Sequence, residues 1–384
     1  MSGQTFYKDK PYVFVPLVQA AGKENVQDRT KALSGKCGDL EITITAMSPL
    51  HFGQNMLKTN LQDPAGDFVH ALCREHYKDK NGVEKNRIVL PGSSFKGMLR
   101  AVFEAVSPSC ILFAPRNERL NLGYPFDNRF ACTMRDQKVC PACSVFGALG
   151  MKGKLQFSSF VADERAETET LSIPSLQSPF RDYPRAGRSS FAVSRREGNE
   201  RLYYGDFPDR KGTEIANLPK DDFFKRKGEK RGDSIRFYGR KFYKHAKEYE
   251  KGQNNTKKYE CLSSGSILRG KIHYEGLTEN EVAALAFSLG LGWGQPIYHK
   301  LGYAKPAYLG SIKIDCCACE TKSRYVHLHG NMTTEELEKK AQRYKEDARA
   351  DVKLAMEELL KVWSNLEGAN QWKKPEEGGR NRMY

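Results

Sequence analysis

Two segments with helical periodicity, each set between strand-like segments, constrain the fold of this chain more than any other feature. The first lies in PGSSFKGMLRAVFEAV, where Ser93 or Ser94 can cap the helix. The second, VAALAFSLGL, follows a capping box formed by Thr278 and Glu281. Because an amphipathic helix must bury its apolar face, both helices are predicted to pack against a sheet.

The strand-like segments occur in a defined order around these helices. The run DLEITITAMSPLHFG alternates from Asp39, and KLQFSSFVAD, SGSILRGKIHYEGL and AYLGSIKID are also typical of strands. A hairpin with Asn81-Gly82 at its turn precedes the first helix. The order indicates an α+β, ferredoxin-like (RNA-recognition-motif-like) βαββαβ core with large insertions. Since many functions use this fold, it does not indicate one by itself.

Composition divides the chain into three predicted parts. Residues 1–38 are expected to form an irregular N-terminal arm, residues 39–315 the folded domain, and residues 316–384 a helical extension. Within the domain, residues 107–150 are loop-rich and carry cysteines, whereas residues 165–260 form a polar, basic insertion. The insertion is an elaboration of the core, because it contains only short strand-like runs.

A second capping box predicts the structure of the C-terminal extension. Thr333 and Glu336 stand ahead of a highly charged segment with helical composition. We expect one long helix that continues to about Asn365.

The formal charge of +15 is the first indication of function. A cationic surface attracts polyanions and releases counterions when it meets phosphate. Rings adjoin cations in FFKRK (223–227), RFYGRKFYKH (236–245) and PIYHKLGY (296–303). Aromatic rings beside cations stack bases while neutralising phosphates, so this pattern favours a nucleic-acid partner over a role in solubility alone.

Neither a membrane span nor an export signal is predicted. No run of apolar residues approaches the length of a transmembrane helix, and MSGQTFYKDKPYVFVPL lacks the pattern of a signal peptide. We therefore expect a cytoplasmic protein with no membrane partner. In that compartment, ten cysteines argue against a disulfide framework.

Four cysteines of the loop-rich stretch are candidate ligands of a structural Zn²⁺ ion. They are Cys110, Cys132, Cys140 and Cys143. Four thiolates complete a tetrahedral zinc site, and His70 or His76 is an alternative to Cys110 as the fourth ligand. The CxxC pair Cys140–Cys143 also suits redox chemistry, but no βαβ unit begins here and further cysteines lie nearby.

A glycine-rich turn, GLGWGQPIYHKLGYAKP, follows the second helix. Gly290, Gly292 and Gly294 alternate in it and would let the backbone approach a ligand closely. The turn is neither a Walker loop nor a dinucleotide fingerprint, because it lacks G-K-[ST] and its glycines follow a helix. From the glycines alone, a strained helix-to-strand connection explains it equally well.

This turn resembles the C-terminal glycine-rich loop of the RAMP superfamily, the repeat-associated CRISPR proteins. Three further segments match in order. ITITAMSPLHFG resembles the family's first strand and loop, and RIVLPGSSFKGMLRAVFEAV resembles the "IPGSSLKGxLR" helix of guide-binding backbone subunits in type III systems. CPACSVFGALGMKGKLQFSSF resembles their "CPxCxLFG…GxLxFSD" segment, where related subunits often carry a structural zinc. The resemblance spans residues 40–312 and says little about the basic insertion or the C-terminal helix.

The resemblance implies a ribonucleoprotein complex of antiviral defence, with guide (CRISPR) RNA, target RNA and other CRISPR effector subunits as partners. Helix N-terminal amides, hydroxyls and cations would hold the RNA backbone. The implied RNA-binding residues are Ser93, Ser94, Lys96, Arg100, Gly290, Gly292, Gly294, Tyr298, His299, Lys300 and Lys305. The basic insertion could be the thumb that such subunits lay across the guide–target duplex, with Arg181, Arg185 and Arg188 on phosphates. An ordinary capped helix and a solvated basic loop are the alternatives.

Cleavage of target RNA is a further implication of the resemblance. Some type III backbone subunits resemble metal-dependent ribonucleases with one aspartate in the loop after the first strand. The corresponding loop, GQNMLKTNLQDPAGDFV, contains Asp63 and Asp67. An aspartate can bring Mg²⁺ or another divalent metal, or orient the attacking 2′-hydroxyl. Asp-Pro and Gly-Asp are also ordinary turn chemistry.

The favoured interpretation is a guide-RNA-binding backbone subunit that also cuts the paired target if its aspartate loop is active. One alternative is a guide-processing endoribonuclease of the same superfamily, with His51 or His299 as general base. A second is a non-catalytic terminal or capping subunit, which the long C-terminal helix would suit. A third is a zinc-stabilised module for other RNAs.

Overall fold

The protein is built around one antiparallel sheet in this computed structural model. The structure describes residues 11–18, 24–25, 35–53, 60–62, 68–110, 119–120, 132, 138–173, 193–194, 201–202, 205–206, 224–225, 236–237, 239–246, 248–249, 251–252, 257–319, 332–364 and 366. The strands of the main sheet, numbered in chain order, are β1 Lys36–Ala46, β2 Arg74–Lys78, β3 Glu84–Leu90, β4 Leu155–Phe157, β5 Phe160–Ala162, β6 Ile267–Leu277, β7 His299–Lys300 and β8 Ser311–Cys319. The helices among the described residues are α1 Gly92–Ala105, α2 Pro141–Phe146, α3 Glu279–Leu289, α4 Thr334–Glu346 and α5 Ala350–Trp363.

Strand order in the main sheet places the last core strand beside the first. Neighbouring strands run β7-β8-β1-β6-β5-β3-β2, and β4 also pairs with β6. Along the chain the core elements are β1, α1, the β4–β5 segment, β6, α3 and β8, so the predicted order of strands and helices is present. The β2–β3 hairpin, inserted before α1, extends the sheet at one edge. The chain therefore has a mixed α+β fold.

The alternation seen in the sequence explains how β1 lies at the centre of the sheet. Leu40, Ile42 and Ile44 are buried on one face, and β1 pairs with β6 on one side and β8 on the other. The strand begins at Lys36 rather than at the predicted Asp39, because its ladder with β6 continues to that residue. Two paired neighbours make β1 an interior strand, which suits its β-branched residues.

The two core helices differ in how much of their surface is covered. Helix α1 is amphipathic and packs Phe95 against Phe160 of β5, with ring centroids 4.5 Å apart. Helix α3 is buried from Val282 to Leu289, because α4 covers the side of the helix that α1 and the sheet do not contact. Its predicted capping box is confirmed. Among the described residues, none of the helices has the length and apolar character needed to cross a membrane.

The prediction of one long C-terminal helix is wrong. Helix α4 starts at the predicted Thr333 capping box and ends at Glu346, and α5 then runs from Ala350 to Trp363. The break redirects the chain so that Trp363, only 1% exposed, enters the core beside Phe242. A single straight helix over this length could not bury residues at both of its ends against one rounded core.

The N-terminal arm and the basic insertion contain more paired strand than the sequence predicts. Tyr12–Val15 pairs with Arg240–Tyr243 of the insertion. The two ends of the insertion, Thr168–Ser172 and Lys258–Leu262, pair with each other in a second sheet that also contains Phe68–His70 and Asn60–Gln62. Short two-residue ladders join Glu24–Asn25 to Lys138–Val139, Arg119–Leu120 to Phe224–Lys225, Gly147–Ala148 to Met151–Lys152, Val193–Ser194 to Arg201–Leu202, and Gly205–Asp206 to Arg236–Phe237. The three-part division of the chain stays a prediction.

Candidate functional site

A cavity of about 760 Å³ opens beside helix α1. Its walls are the loop after β1, the exposed side of α1, the strand Arg240–Tyr243 and the chain between β7 and β8. Helix α1 contributes Ser94, Gly97, Met98, Ala101 and Val102 to the lining. Among the described residues that line the cavity, none carries a carboxylate, whereas several carry an amine or an imidazole. Because burial lowers the pKa of Lys300 and Lys305, Lys241 is the lysine whose charge suits the cavity to an anionic ligand.

Two of the ring-and-cation segments predicted from the sequence meet at this cavity. RFYGRKFYKH contributes Lys241 and Tyr243, and PIYHKLGY contributes Lys300 and Tyr303. The Lys241 Nζ atom lies 4.8 Å from the centre of the Tyr243 ring and 4.2 Å from that of Tyr12. The cation is thus held beside aromatic faces at the wall of the cavity.

A stack of rings that the sequence did not reveal borders the same cavity. Tyr259 stacks on His70, with centroids 4.6 Å apart, and on Tyr303, with centroids 5.0 Å apart. His70 and Tyr259 are direct partners in neighbouring strands, which explains their contact. These residues come from three distant parts of the chain, so only the second sheet and the turn after β7 bring them together.

His51, in the loop after β1, presents one ring nitrogen as an acceptor. Its Nδ1 lies 2.6 Å from the carbonyl oxygen of Glu260. Because a carbonyl oxygen only accepts, Nδ1 carries the proton, and in the neutral ring Nε2 is the acceptor. Burial lowers the pKa of His51, which favours that neutral ring. The side chain lines the cavity, with Nε2 near Gly53.

The N-terminal turn of α1 differs from the predicted cap. Pro91 occupies the N-cap position and no side chain caps the helix, because the helix begins earlier than the serines predict. Ser93 and Ser94 are consequently exposed in its first turn, and Ser94 lines the cavity. Lys96 is half-buried, and burial lowers the pKa of its amine. Their contact with RNA stays a prediction.

Arg100 is directed into the protein instead of the cavity. Its Nε donates to Glu104 Oε1 at 2.8 Å, and its two terminal nitrogens donate to the Gly147 carbonyl at 2.9 Å and to Cys143 Sγ at 3.2 Å. These contacts place Arg100 beside the cysteines, and its contact with RNA stays a prediction.

The three alternating glycines do not line the cavity. Gly290 ends α3 with a φ of 116°, the left-handed cap that favours glycine. At Gly292 an added Cβ would lie 2.6 Å from the Ala341 carbonyl carbon, so this glycine allows α4 to pack closely. Gly294 has open space around it. At Gly292, then, the close packing of α4 accounts for the glycine.

Most of the remaining predicted residues of the turn donate hydrogen bonds to backbone carbonyls of the protein. His299 is buried, its Nε2 donates to the Ser288 carbonyl at 2.9 Å, and burial lowers its pKa to about 4. The Tyr298 backbone nitrogen donates to the Trp363 carbonyl. Lys300 and Lys305 line the cavity, yet Lys300 donates to two carbonyls of the following loop and Lys305 donates to that of Gly302.

The four predicted cysteine ligands come together in one buried cluster. The Sγ atoms of Cys110, Cys132, Cys140 and Cys143 all lie within 4.8 Å of one another. A metal ion held by four thiolates at about 2.3 Å separates its sulfurs by about 3.8 Å, so the arrangement could hold a metal ion. Hydrogen bonds within the cluster lower the pKa of Cys132 and Cys140 and raise the pKa of Cys110 and Cys143. Among the described residues, this cluster contains Cys110 and neither of the two histidines considered in its place.

A buried ion-pair network joins this cluster to α1 and to the insertion. Glu104 accepts from Arg100 through Oε1 and from Arg240 through Oε2, both at 2.8 Å. Arg240 also donates to the carbonyls of Ser109 and Cys110. The network holds the chain that carries the first cysteine against the helix that walls the cavity.

The predicted catalytic and thumb residues lie outside the described residues. These are Asp63, Asp67, Arg181, Arg185 and Arg188. The strands on either side of the aspartates, Asn60–Gln62 and Phe68–His70, pair with each other and belong to the sheet that also holds the ends of the insertion. Metal-dependent cleavage and the thumb stay predictions.

Comparison with known proteins identifies the family. The model of the RAMP superfamily matches residues 43–295, so this chain belongs to the RAMP superfamily. A chain of a "Type IV-B CRISPR Complex" is similar at 16% identity and a TM-score of 0.32, covering 74% of this chain and 92% of that chain. Thermofilum pendens Csc2 is similar at 12% identity and a TM-score of 0.32, covering 93% of this chain and 95% of that chain. No curated protein matches the sequence.

Proposed function

We propose that this chain is a guide-RNA-binding backbone subunit of a CRISPR effector complex, with a ferredoxin-like core and a structural zinc. Membership of the RAMP superfamily supports the proposal. The single observation that carries it is the cavity beside α1. Lysines and aromatic rings converge there, and none of the described lining residues carries a carboxylate. RNA bound there would be held through its phosphates and its shape, and sequence would be read by base pairing between guide and target.

Salt dependence of RNA binding by the purified chain tests this proposal. Lys241 lines the cavity, whereas Lys78 lies on the β2 edge strand with 70% of its side chain exposed. Lys241→Ala should weaken binding of single-stranded RNA and reduce the salt slope by about one. Lys78→Ala, the matched loss of one charge, should change neither. Equal effects of the two changes would place the RNA elsewhere, and RNA that neither co-purifies nor binds would refute the function.

Zinc is the metal that the cysteine cluster fits best. Four soft thiolate ligands in a buried, closed arrangement suit a structural Zn²⁺ ion better than a hard cation such as Mg²⁺. The ion would hold together the segments of residues 107–150 that carry the four cysteines. Arg100, which contacts Cys143, would offset the negative charge of a four-thiolate site.

A guide-processing endoribonuclease is a second candidate, and His51 favours it. Its Nε2 acceptor lies at the cavity, where a general base would have to contact a ribose 2′-hydroxyl. His299, the other histidine considered, is fully enclosed and is not part of the cavity lining. Incubating the chain with a repeat hairpin RNA tests this candidate. Specific cleavage that His51→Gln abolishes supports it, and an intact hairpin excludes it.

A further inference from the structure

Both outer rings of the stack beside the cavity, His70 and Tyr303, are exposed to solvent. Tyr259 is 8% exposed, whereas Tyr303 at the end of the stack is 40% exposed. Four large hydrophobic side chains are exposed among the residues that the structure describes, and Tyr303 is the aromatic one. The stack thus ends in a ring that another flat group can cover.

Tyr303 is also held rigidly in place. Its backbone nitrogen donates to the His51 carbonyl at 2.9 Å, and the Tyr259 hydroxyl lies 3.5 Å from its own. The preceding Gly302 has a φ of 81°, and a Cβ there would lie 2.3 Å from the His51 carbonyl oxygen. A ring fixed in this way loses little conformational freedom when a ligand covers it.

Groups that line the same cavity as this ring match the parts of a nucleotide. Lys241 supplies a cation in the same cavity, and His51 supplies a hydrogen-bond acceptor. His51 also contacts Tyr303 edge-on, with centroids 6.2 Å apart. A flat base, a phosphate and a ribose hydroxyl would each find a complementary group, whereas an acidic peptide would leave the open ring without a planar partner.

We propose that Tyr303 is a nucleobase-stacking residue, on which an unpaired base of bound single-stranded RNA continues the stack formed with Tyr259. The site rests on the proposed RNA-binding function and adds to it a contact with bases. It accepts any base, since every base has a π face. Its ligand is therefore an unstacked nucleotide of the RNA and not a particular sequence.

Paired oligonucleotides of equal charge test the stacking site. The full chain is titrated with a short oligouridylate RNA and with an abasic strand of the same length and phosphate number. Tyr303→Ala should weaken binding of the RNA about tenfold and leave the abasic strand unchanged. Tyr303→Phe, which keeps the ring, should bind RNA like the wild type. Tyr77→Ala is the matched control, because Tyr77 lies on β2 under Arg87. Thermal unfolding confirms that each variant is folded.

Each outcome separates this proposal from the function on which it rests. Equal loss on both strands would show that the ring only maintains the shape of the cavity, and would overturn the stacking site. Unchanged RNA binding by Tyr303→Ala would overturn it as well, while the RNA-binding function would stand. A wild-type chain that binds neither strand would overturn both.

Discussion

Glu104 is the residue whose replacement should reveal most about the stability of this protein. Its side chain is 6% exposed, and its carboxylate lies between the guanidinium groups of Arg100 and Arg240. Those two side chains are 16% and 10% exposed. Glu104→Gln keeps the size of the side chain but removes the negative charge, so Arg100 and Arg240 lose the carboxylate that they share. Breaking a buried ion pair from one side costs about 3–5 kcal/mol, and we expect the free energy of unfolding to fall by that amount. Urea denaturation measures the loss.

An exposed ion pair in the same protein provides the control. Glu75 and Arg87 on the β2–β3 hairpin are 2.9 Å apart, and their side chains are 47% and 39% exposed. Glu75→Gln should reduce stability by less than about 1 kcal/mol, because water screens this pair. If Glu104→Gln costs no more than Glu75→Gln, burial does not govern the network and the reasoning is refuted.

Three further predictions follow from other parts of the molecule. Pure protein should contain about one zinc per chain, and Cys143→Ser should release it; elemental analysis showing no zinc in the wild type would contradict this. Gly302→Ala should lower the urea midpoint more than Gly294→Ala, because both glycines have a left-handed φ but only Gly302 has a backbone oxygen in the way. Burial lowers the pKa of His299 from 6.5 to about 4, so the unfolded chain binds the extra proton first. Stability should therefore fall as the pH drops through this window, by up to about 3 kcal/mol, and His299→Gln should flatten the profile in denaturation measured at each pH.

Local patterns predicted the elements of the fold, and long-range packing determined the rest. The alternation of Ile42 and Ile44 and the Thr278 capping box depend on neighbouring residues, and both are confirmed. The break before Ala350 depends on Trp363 reaching Phe242, a contact between distant segments. A charged segment without proline or glycine gives no local sign of such a break.

The candidate site shows the same division. The CxxC pair and its upstream cysteines were predictable because ligand type and clustering suffice to suggest a metal site. The inward direction of Arg100 was not, because Glu104 and Cys143 compete with solvent for its guanidinium only in the folded chain. The ring stack on Tyr259 requires a parallel pairing of strands that the sequence order conceals.

The pairing of the N-terminal strand has a consequence for synthesis on the ribosome. Tyr12–Val15 emerges long before its partner Arg240–Tyr243, which lies far along the chain. Trp363, which covers Phe242 of that partner, emerges later still. Tyr12–Val15 must therefore wait, without this partner, until Arg240–Tyr243 has been made, and exposed strands of this kind are prone to aggregation. Pairing of Tyr12–Val15 with Arg240–Tyr243 is accordingly a late step in the folding of the nascent chain.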